Sequence, residues 1–396
     1  MMKARLRMSK KLGLLLFGES DLPVIAYKDT GMFLYELSKN FNWQVTYLYF
    51  SRTQHPNVRW NPAFLEYVKP ICIGSADTYK DQVNLAKKYI LQHGLEYNVF
   101  MFFNYGSVIW KLAKLCKKIN PNVVVYSKLD MGIGGFTHFH NNKFGISFKN
   151  WFEKIKSRYV DFFTVETKAY FDELKQTSVF RNRIGYLPNG VSLLNVDMDT
   201  VESNKKENII ITIGRLGDYS KNTELLVDAI QLLPKKLLEN WKFYFVGPST
   251  TEFYNYVIRL KNMDKIFNKN IILTGEITNR DQLYSLCKKS KIICMPSRSE
   301  GACIAVIEAM YFGAYPVITN YSAFALDTTN YGQLGTIVQQ NAKSLSQSLI
   351  SVMDNPNLNE LNFECQNYAR SKFDYYILAK RLNDFLENLM KCKIHH

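Results

Sequence analysis

Glu300 and Glu308 stand eight residues apart in Glu300-Gly-Ala-Cys-Ile-Ala-Val-Ile-Glu308, at a junction that predicts a ligand site. The apolar run Lys291-Ile-Ile-Cys-Met295 predicts a strand, Pro296-Ser-Arg-Ser-Glu-Gly301 a turn, and Ile304 to Phe312 a helix that Gly313 ends. Open α/β sheets bind ligands at such strand-to-helix junctions. The backbone N–H groups of Gly301, Ala302, Cys303 and Ile304 would lie at the helix entrance, where no preceding turn satisfies them and an anion can. Phosphate-binding amides beside two hydroxyl-binding carboxylates suit a nucleotide sugar.

A second element has matching chemistry. The strand Asn208-Ile-Ile-Ile-Thr-Ile213 runs into Gly214-Arg215-Leu216-Gly217-Asp-Tyr-Ser-Lys221-Asn222, and then into an amphipathic helix with Leu225, Leu226, Ala229 and Ile230 on its apolar side. A cation pair at a helix start can stabilise the charge that grows on a departing diphosphate. Together the two stretches resemble retaining glycosyltransferases of the GT-B fold, family four. Glu300…Glu308 matches that family's E-x7-E signature, with Ala309-Met310 and Gly313-Ala-Tyr-Pro316-Val317-Ile318 following it, and Gly214-Arg215…Lys221-Asn222 matches its Gly-Arg…Lys-Asn element.

The resemblance implies roles. Arg215 and Lys221 would clamp the donor diphosphate, Glu300 would hold the sugar's 3- or 4-hydroxyl, and Glu308 the ribose hydroxyls. Gly214 and the amides of Gly301 to Ile304 would complete the donor site. It also implies retention of anomeric configuration, with a leaving phosphate oxygen taking the acceptor's proton. No cofactor is expected beyond the nucleotide-sugar co-substrate, and no metal. The same fold serves nucleotide-sugar 2-epimerases, and a catalytically inactive partner subunit is a further alternative.

The elements that must position these residues follow from length and pattern. The chain has 396 residues, of which 47% are hydrophobic, more than one ordinary core requires. Short apolar strands alternate with helical patterns from Leu12 to Val338, predicting α/β architecture with two Rossmann-like doubly wound domains. The resemblance sets these domains facing a central cleft. The first domain is expected over residues 1–190, rejoined by a C-terminal helix at 373–392 that crosses back to it, and the second over 205–372. Arg183-Ile-Gly-Tyr-Leu-Pro-Asn-Gly-Val191 resembles the family's hinge, and the polar stretch Ser192 to Asn208 reads as the linker.

Composition narrows the function classes. The seven cysteines form no Cys-x-x-Cys pair and read as reduced and mostly buried. No uncharged apolar run is long enough to span a membrane, and the start Met1-Met-Lys-Ala-Arg-Leu-Arg lacks a signal peptide's apolar core. Residues 1–195 carry 27 Lys+Arg against 14 Asp+Glu, net +13, and the remainder 23 against 21, net +2. This basic excess avoids the half that carries the ligand motifs and comes with no nucleic-acid module, so nucleic acid is excluded as a partner. It suits an anionic glycan or lipid-linked acceptor. Trp110-Lys-Leu-Ala-Lys-Leu-Cys-Lys-Lys118 reads as a basic amphipathic helix able to lie on an anionic membrane. The expected place is therefore cytoplasmic, peripheral on the inner face of the cell membrane. A composition rich in Lys, Asn, Ile, Tyr and Phe points to a bacterial source and so to cell-surface polysaccharide synthesis. Within the family resemblance, the expected donor is a UDP-sugar in preference to a GDP-sugar.

Candidates in the first domain depart from the family pattern. Asp29-Thr30-Gly31 stands where the family has a glycine-rich loop, reading as a helix cap before a single Gly31 near the donor phosphate. Lys128 and Asp130 replace the usual cleft histidine at a strand end. Asp130 is the candidate to orient or deprotonate the acceptor hydroxyl, with Lys128 and Asn104 lining the acceptor side. Gly132, Gly134 and Gly135 predict a mobile loop, and His138 and His140 are too loosely placed for a metal site. Asp197-Met198-Asp199 has the D-x-D form of a metal-binding pair but lies in the linker, with no buried strand to deliver it.

Overall fold

The computed structural model describes residues 10–18, 20–52, 58–131, 154–202, 205–320 and 324–394. The loop with Gly132, Gly134, Gly135, His138 and His140 lies outside them. The chain forms two compact units, one of residues 1–194 with 375–396, the other of residues 195–374.

The first unit holds a parallel sheet of seven strands: β1 (Lys10–Leu15), β2 (Trp43–Ser51), β3 (Val68–Ser75), β4 (Val99–Phe103), β5 (Val124–Leu129), β6 (Phe162–Val165) and β7 (Ile184–Tyr186), in spatial order β3-β2-β1-β4-β5-β6-β7. Helices α1 (Asp29–Phe41), α2 (Tyr79–His93) and α3 (Ser107–Ile119) are among its crossovers. Strands covered on both faces read as near-continuous apolar runs. Val99 to Phe102 are accordingly buried, as is all of β5, including Lys128.

The second unit holds six parallel strands, β8 (Glu207–Ile213), β9 (Lys242–Val246), β10 (Ile271–Gly275), β11 (Ser290–Met295), β12 (Tyr315–Thr319) and β13 (Thr336–Val338), in order β10-β9-β8-β11-β12-β13. Helices α4 (Thr223–Gln231), α5 (Arg280–Lys289) and α6 (Ile304–Tyr311) are among their connections. The buried apolar residues of α4 are Leu226, Val227, Ala229 and Ile230, while Leu225 is only half-buried. In each unit the strand order reverses once beside the first strand, at β1/β4 and at β8/β11. Loops leaving those neighbours at their carboxyl ends diverge to opposite sides and leave a crevice for ligands.

The C-terminal helix expected at 373–392 begins two residues later and is preceded by a separate helix. A helix over Leu358–Phe373 ends at Asp374, which is extended (φ −78°, ψ 125°), and a second helix runs Tyr375–Ile394. The break falls at the unit boundary: Phe373 is buried in the second unit, and Leu378, Leu382 and Leu386 join the core of the first beside Phe33 and Leu37. Tyr375 meets Phe33 edge-on at 5.4 Å, and the indole N–H of Trp43 donates to Asn383 at 2.9 Å. The polar stretch after Ser192 is likewise more structured than a plain linker, with a helix at Met198–Glu202 and Asn208 already inside β8.

Helix α3 carries its chemistry differently from the sequence expectation. Ile109, Trp110, Leu112, Ala113 and Cys116 are all buried in the first unit, so its apolar side is occupied by the core. What it presents outward is Lys111, Lys114 and Lys118, with Val108 and Leu115 half-buried beside them.

Because Leu382 is fully buried, Leu382→Ala should destabilise the protein by about 2–5 kcal/mol. A urea transition unchanged within about 0.5 kcal/mol would show that the C-terminal helix is not part of that core.

Candidate functional site

The best-built site lies at the carboxyl ends of β8 and β11. After β8 the chain turns through Gly214, whose N–H donates to Val246 O at 2.9 Å. Gly247, after β9, crosses so closely that a Cβ there would fall 1.9 Å from Gly214 O, and its φ of +133° excludes a side chain independently. The loop Arg215–Asn222 is closed by Asp218. Its carboxylate accepts from Ser220 Oγ and N and from Arg215 Nε at 3.1 Å, and these bonds, Ser220's first, hold its pKa down to about 2. Asn222 then takes the left-handed conformation (φ 51°) that Asn tolerates, directly before α4.

This loop is bound to the loop after β11 at four points. Asn222 Nδ2 donates to Pro296 O at 3.2 Å, Arg298 N–H to Ser220 O at 2.8 Å, Arg298 Nη1 to Tyr219 O at 2.6 Å, and Lys221 Nζ to Glu300 Oε1 at 2.6 Å. The Arg298 guanidinium also lies over the Tyr219 ring, 4.4 Å from its centroid. Ser297 Oγ donates to the same Glu300 oxygen at 2.7 Å. The two stretches, 79 residues apart between Lys221 and Glu300, are thereby one constellation. Arg215 stands at its rim with two-thirds of its side chain exposed.

Glu300 is followed by Gly301, where a Cβ would meet nothing within 4 Å, then Ala302 and Cys303. Cys303, at the N-cap of α6, makes no side-chain capping bond to the amides that open the helix. The Cys303 side chain is buried, and burial first, then Glu300, pushes its thiol up to about 12, so Cys303 contributes backbone alone.

Glu308, one turn further, is buried and held from α5. Arg280 Nη1 and Tyr284 Oη each donate to its Oε1 at 2.9 Å, and the Arg280 guanidinium lies 5.2 Å from the Tyr284 ring centroid. Sequence reasoning missed these two supports. The only signal was their i,i+4 spacing behind the cap Asn279, which many solvent-exposed helices share.

In the first unit, Asn104, Lys128 and Asp130 share the carboxyl ends of β4 and β5. Asn104 is exposed in left-handed conformation (φ 64°), with its N–H on Lys128 O at 2.8 Å. Asp130 is exposed just past β5. Lys128 differs from the expected acceptor ligand: it is fully buried, with Nζ on Asn189 Oδ1 at 2.8 Å and on Asp29 Oδ2 at 2.9 Å. Burial alone would lower its pKa, but Asp29 and then Glu166 outweigh that and raise it, so it is a buried cation that ties β5, α1 and Asn189 together. Asp29 is the first residue of α1 and not part of a cap, since Lys28 holds the N-cap position without a side-chain bond. Gly31 is buried against Pro23–Tyr27; a Cβ would sit 2.3 Å from Ile25 O, so that close approach is what requires glycine there. Asp197 caps the helix Met198–Glu202 by accepting from Asp199 N at 3.1 Å and Thr200 Oγ1 at 2.7 Å, a structural use for the D-x-D pair.

Residues 196–372 match the family of glycosyl transferases group 1. That match covers nearly all of the second unit. Among similar curated proteins is the GalNAc-alpha-(1->4)-GalNAc-alpha-(1->3)-diNAcBac-PP-undecaprenol alpha-1,4-N-acetyl-D-galactosaminyltransferase of Campylobacter jejuni, 26% identical over 48% of this chain and 50% of that protein. Another is the capsular polysaccharide biosynthesis glycosyltransferase CapH of Staphylococcus aureus, 30% identical over 33% of this chain and 35% of that one. The chain thus spans half or less of the length of these relatives. Solved structures cover nearly all of it. A glycosyltransferase from Rickettsia africae aligns with TM-score 0.65 at 14% identity over 96% of this chain and 99% of that one. HepE of Anabaena, in complex with UDP and glucose, aligns with TM-score 0.63 at 14% identity over 96% and 100%. These likenesses show the fold, GT-B, with its two parallel-sheet α/β units.

The second unit holds Cys287, Cys294, Cys303 and Cys365 buried, and Cys116 is buried in the first unit. Native-state labelling with a thiol reagent, read by mass spectrometry, should therefore modify Cys72 and Cys392 and spare the other five. Rapid labelling of Cys303 would mean that the loop carrying Glu300 opens in solution.

Proposed function

We propose that the protein transfers a hexose from a nucleoside-diphosphate sugar, preferably a UDP-sugar, to a hydroxyl of a glycan or lipid-linked acceptor in bacterial cell-surface polysaccharide synthesis. The reaction retains anomeric configuration and uses no metal ion. The observation that carries this reading is the Lys221–Glu300 pair at the β8/β11 crevice, beside the uncapped start of α6 and a buried Glu308. The names of the Campylobacter and Staphylococcus relatives and the UDP and glucose bound by HepE support it.

In this reading the diphosphate takes Lys221 from Glu300, freeing that carboxylate for a sugar hydroxyl, and the exposed Arg215 swings onto the same phosphates. Arg280 and Tyr284 keep Glu308 oriented for the ribose hydroxyls. As the anomeric carbon's bond to the diphosphate oxygen breaks, the two cations and the α6 amides stabilise the charge left on it. The acceptor oxygen bonds to the same face of that carbon, and its proton passes to the leaving phosphate oxygen. No dedicated base is required, and Asp130 orients the acceptor hydroxyl. The lysine face of α3 supplies electrostatic contact with an anionic membrane, about 1 kcal/mol per residue near the surface.

Glu300→Gln should lower kcat about a hundredfold with little change in donor affinity, the effect of losing one preorganised contact to the reacting sugar. Glu308→Gln should instead raise the donor Kd roughly tenfold. UDP and GDP are compared by thermal stabilisation, since a ligand that binds the native state raises Tm. Unchanged kinetics in both variants would sink the assignment.

Product analysis by proton NMR should show the donor's anomeric configuration preserved, at a rate unaffected by EDTA. An inverted product would reject the mechanism, and a new sugar nucleotide formed from donor alone would indicate epimerisation.

A further inference from the structure

Glu166 follows β6 directly and points into the same strand ends as Lys128 and Asp130, yet nothing in the proposed reaction uses it. It is 2% exposed. Its Oε1 accepts the N–H of Met131 at 2.9 Å and so fixes the peptide that follows Asp130. Its Oε2 is buried without a hydrogen-bond partner among the described residues, and so are the hydroxyls of Thr167, beside it, and Thr30, beside Asp29. The charged groups that act on this cluster are Lys128, Asp29, Asp130 and, at its edge, Lys28, with the Tyr170 phenol also facing Glu166. The cluster thus sets one buried ammonium, already paired to Asp29, against two further carboxyls.

We propose that Glu166 is a positioning residue for the acceptor side, acting in its neutral form: it holds the Asp130–Met131 peptide through the Met131 N–H while leaving Asp130 and Asp29 to share Lys128. This deepens the transferase reading above and rests on it. A carboxyl this buried keeps its proton, because ionising it costs desolvation energy that the backbone N–H groups of Glu166 and Met131 do not offset. Burial, the largest influence, raises Glu166 to about 7, although Lys128 opposes it. Above that pH a third carboxylate draws on one ammonium, the Lys128–Asp29 tie weakens, and Asp130 loses its setting. Glu166 does not itself touch the reacting atoms in this account.

Glu166→Gln keeps an oxygen for the Met131 N–H and removes the titration. Between pH 6 and 8 the neutral fraction of a group with pKa near 7 falls about tenfold, so kcat/KM for the acceptor should fall by that order in the wild type and stay flat in Glu166→Gln. UDP-induced thermal stabilisation should be equal in the two proteins at both pH values. Stability supplies a readout independent of turnover. Glu166 carries a raised native pKa, so from its unfolded value near 4.5 up to about 7 the native state alone holds the proton. The wild type should therefore lose stability relative to Glu166→Gln across that window and no further above it. An alkaline limb that persists unchanged in Glu166→Gln overturns the positioning role, as does a stability difference that stays constant with pH. A wild type that turns over no acceptor at any pH, in contrast, removes the transferase reading beneath it.

Discussion

The site in the second unit depends on one ion pair. Lys221 and Glu300 belong to loops that leave neighbouring strands on opposite sides of a topological switch, and loops that diverge have no intrinsic reason to keep a fixed spacing. The 2.6 Å contact between their side chains, backed by Ser297, Asn222 and Arg298, sets that spacing. Arg215, the start of α6 and Glu308 are all placed relative to this junction. In the proposed reaction the pair is also a stand-in for substrate: the carboxylate occupies the cation that a diphosphate would take, and the cation occupies the carboxylate that a sugar hydroxyl would take. Such a site is preorganised at little cost, because neither charge is left buried and unpaired before the donor arrives.

The two carboxylates of the signature are held in different ways. Glu300 sits in a loop beside a lysine that a ligand can claim. Glu308 is buried in a helix, and its partners Arg280 and Tyr284 come from a neighbouring helix. The first arrangement suits a group that changes partners during a reaction, and the second a group that must stay fixed while a ribose docks.

The first unit repeats the architecture with a different balance of charge. Its strand ends converge on a fully buried lysine, where the sequence led one to expect an acceptor ligand. Lys128 is internal framework: it joins β5 to the start of α1 and to Asn189, the asparagine of the hinge-like stretch before the unit boundary. Exposed chemistry at that edge is left to Asp130 and Asn104. Similarly, the amphipathic pattern of α3 reflects burial of Trp110 and Leu112 in the domain, which leaves the lysines to meet any anionic surface.

The α/β class, the two strand-to-helix junctions and the residues on them were legible in the chain alone, since apolar strand runs, Gly-rich turns and the spacing of Glu300 and Glu308 are local properties. The sequence also placed α6 to within a residue, because helical periodicity and Gly313 mark its end. Partnership was a matter for tertiary structure. That Arg280 and Tyr284 support Glu308, that Lys128 is buried against Asp29 and that Glu166 stands over Met131 are contacts between residues 24 to 99 positions apart, created by strand order and crossover geometry. The break at Asp374 has the same origin: Phe373 and Leu378 read as one helical stripe, and only the existence of two separate cores decided that they are buried in different units.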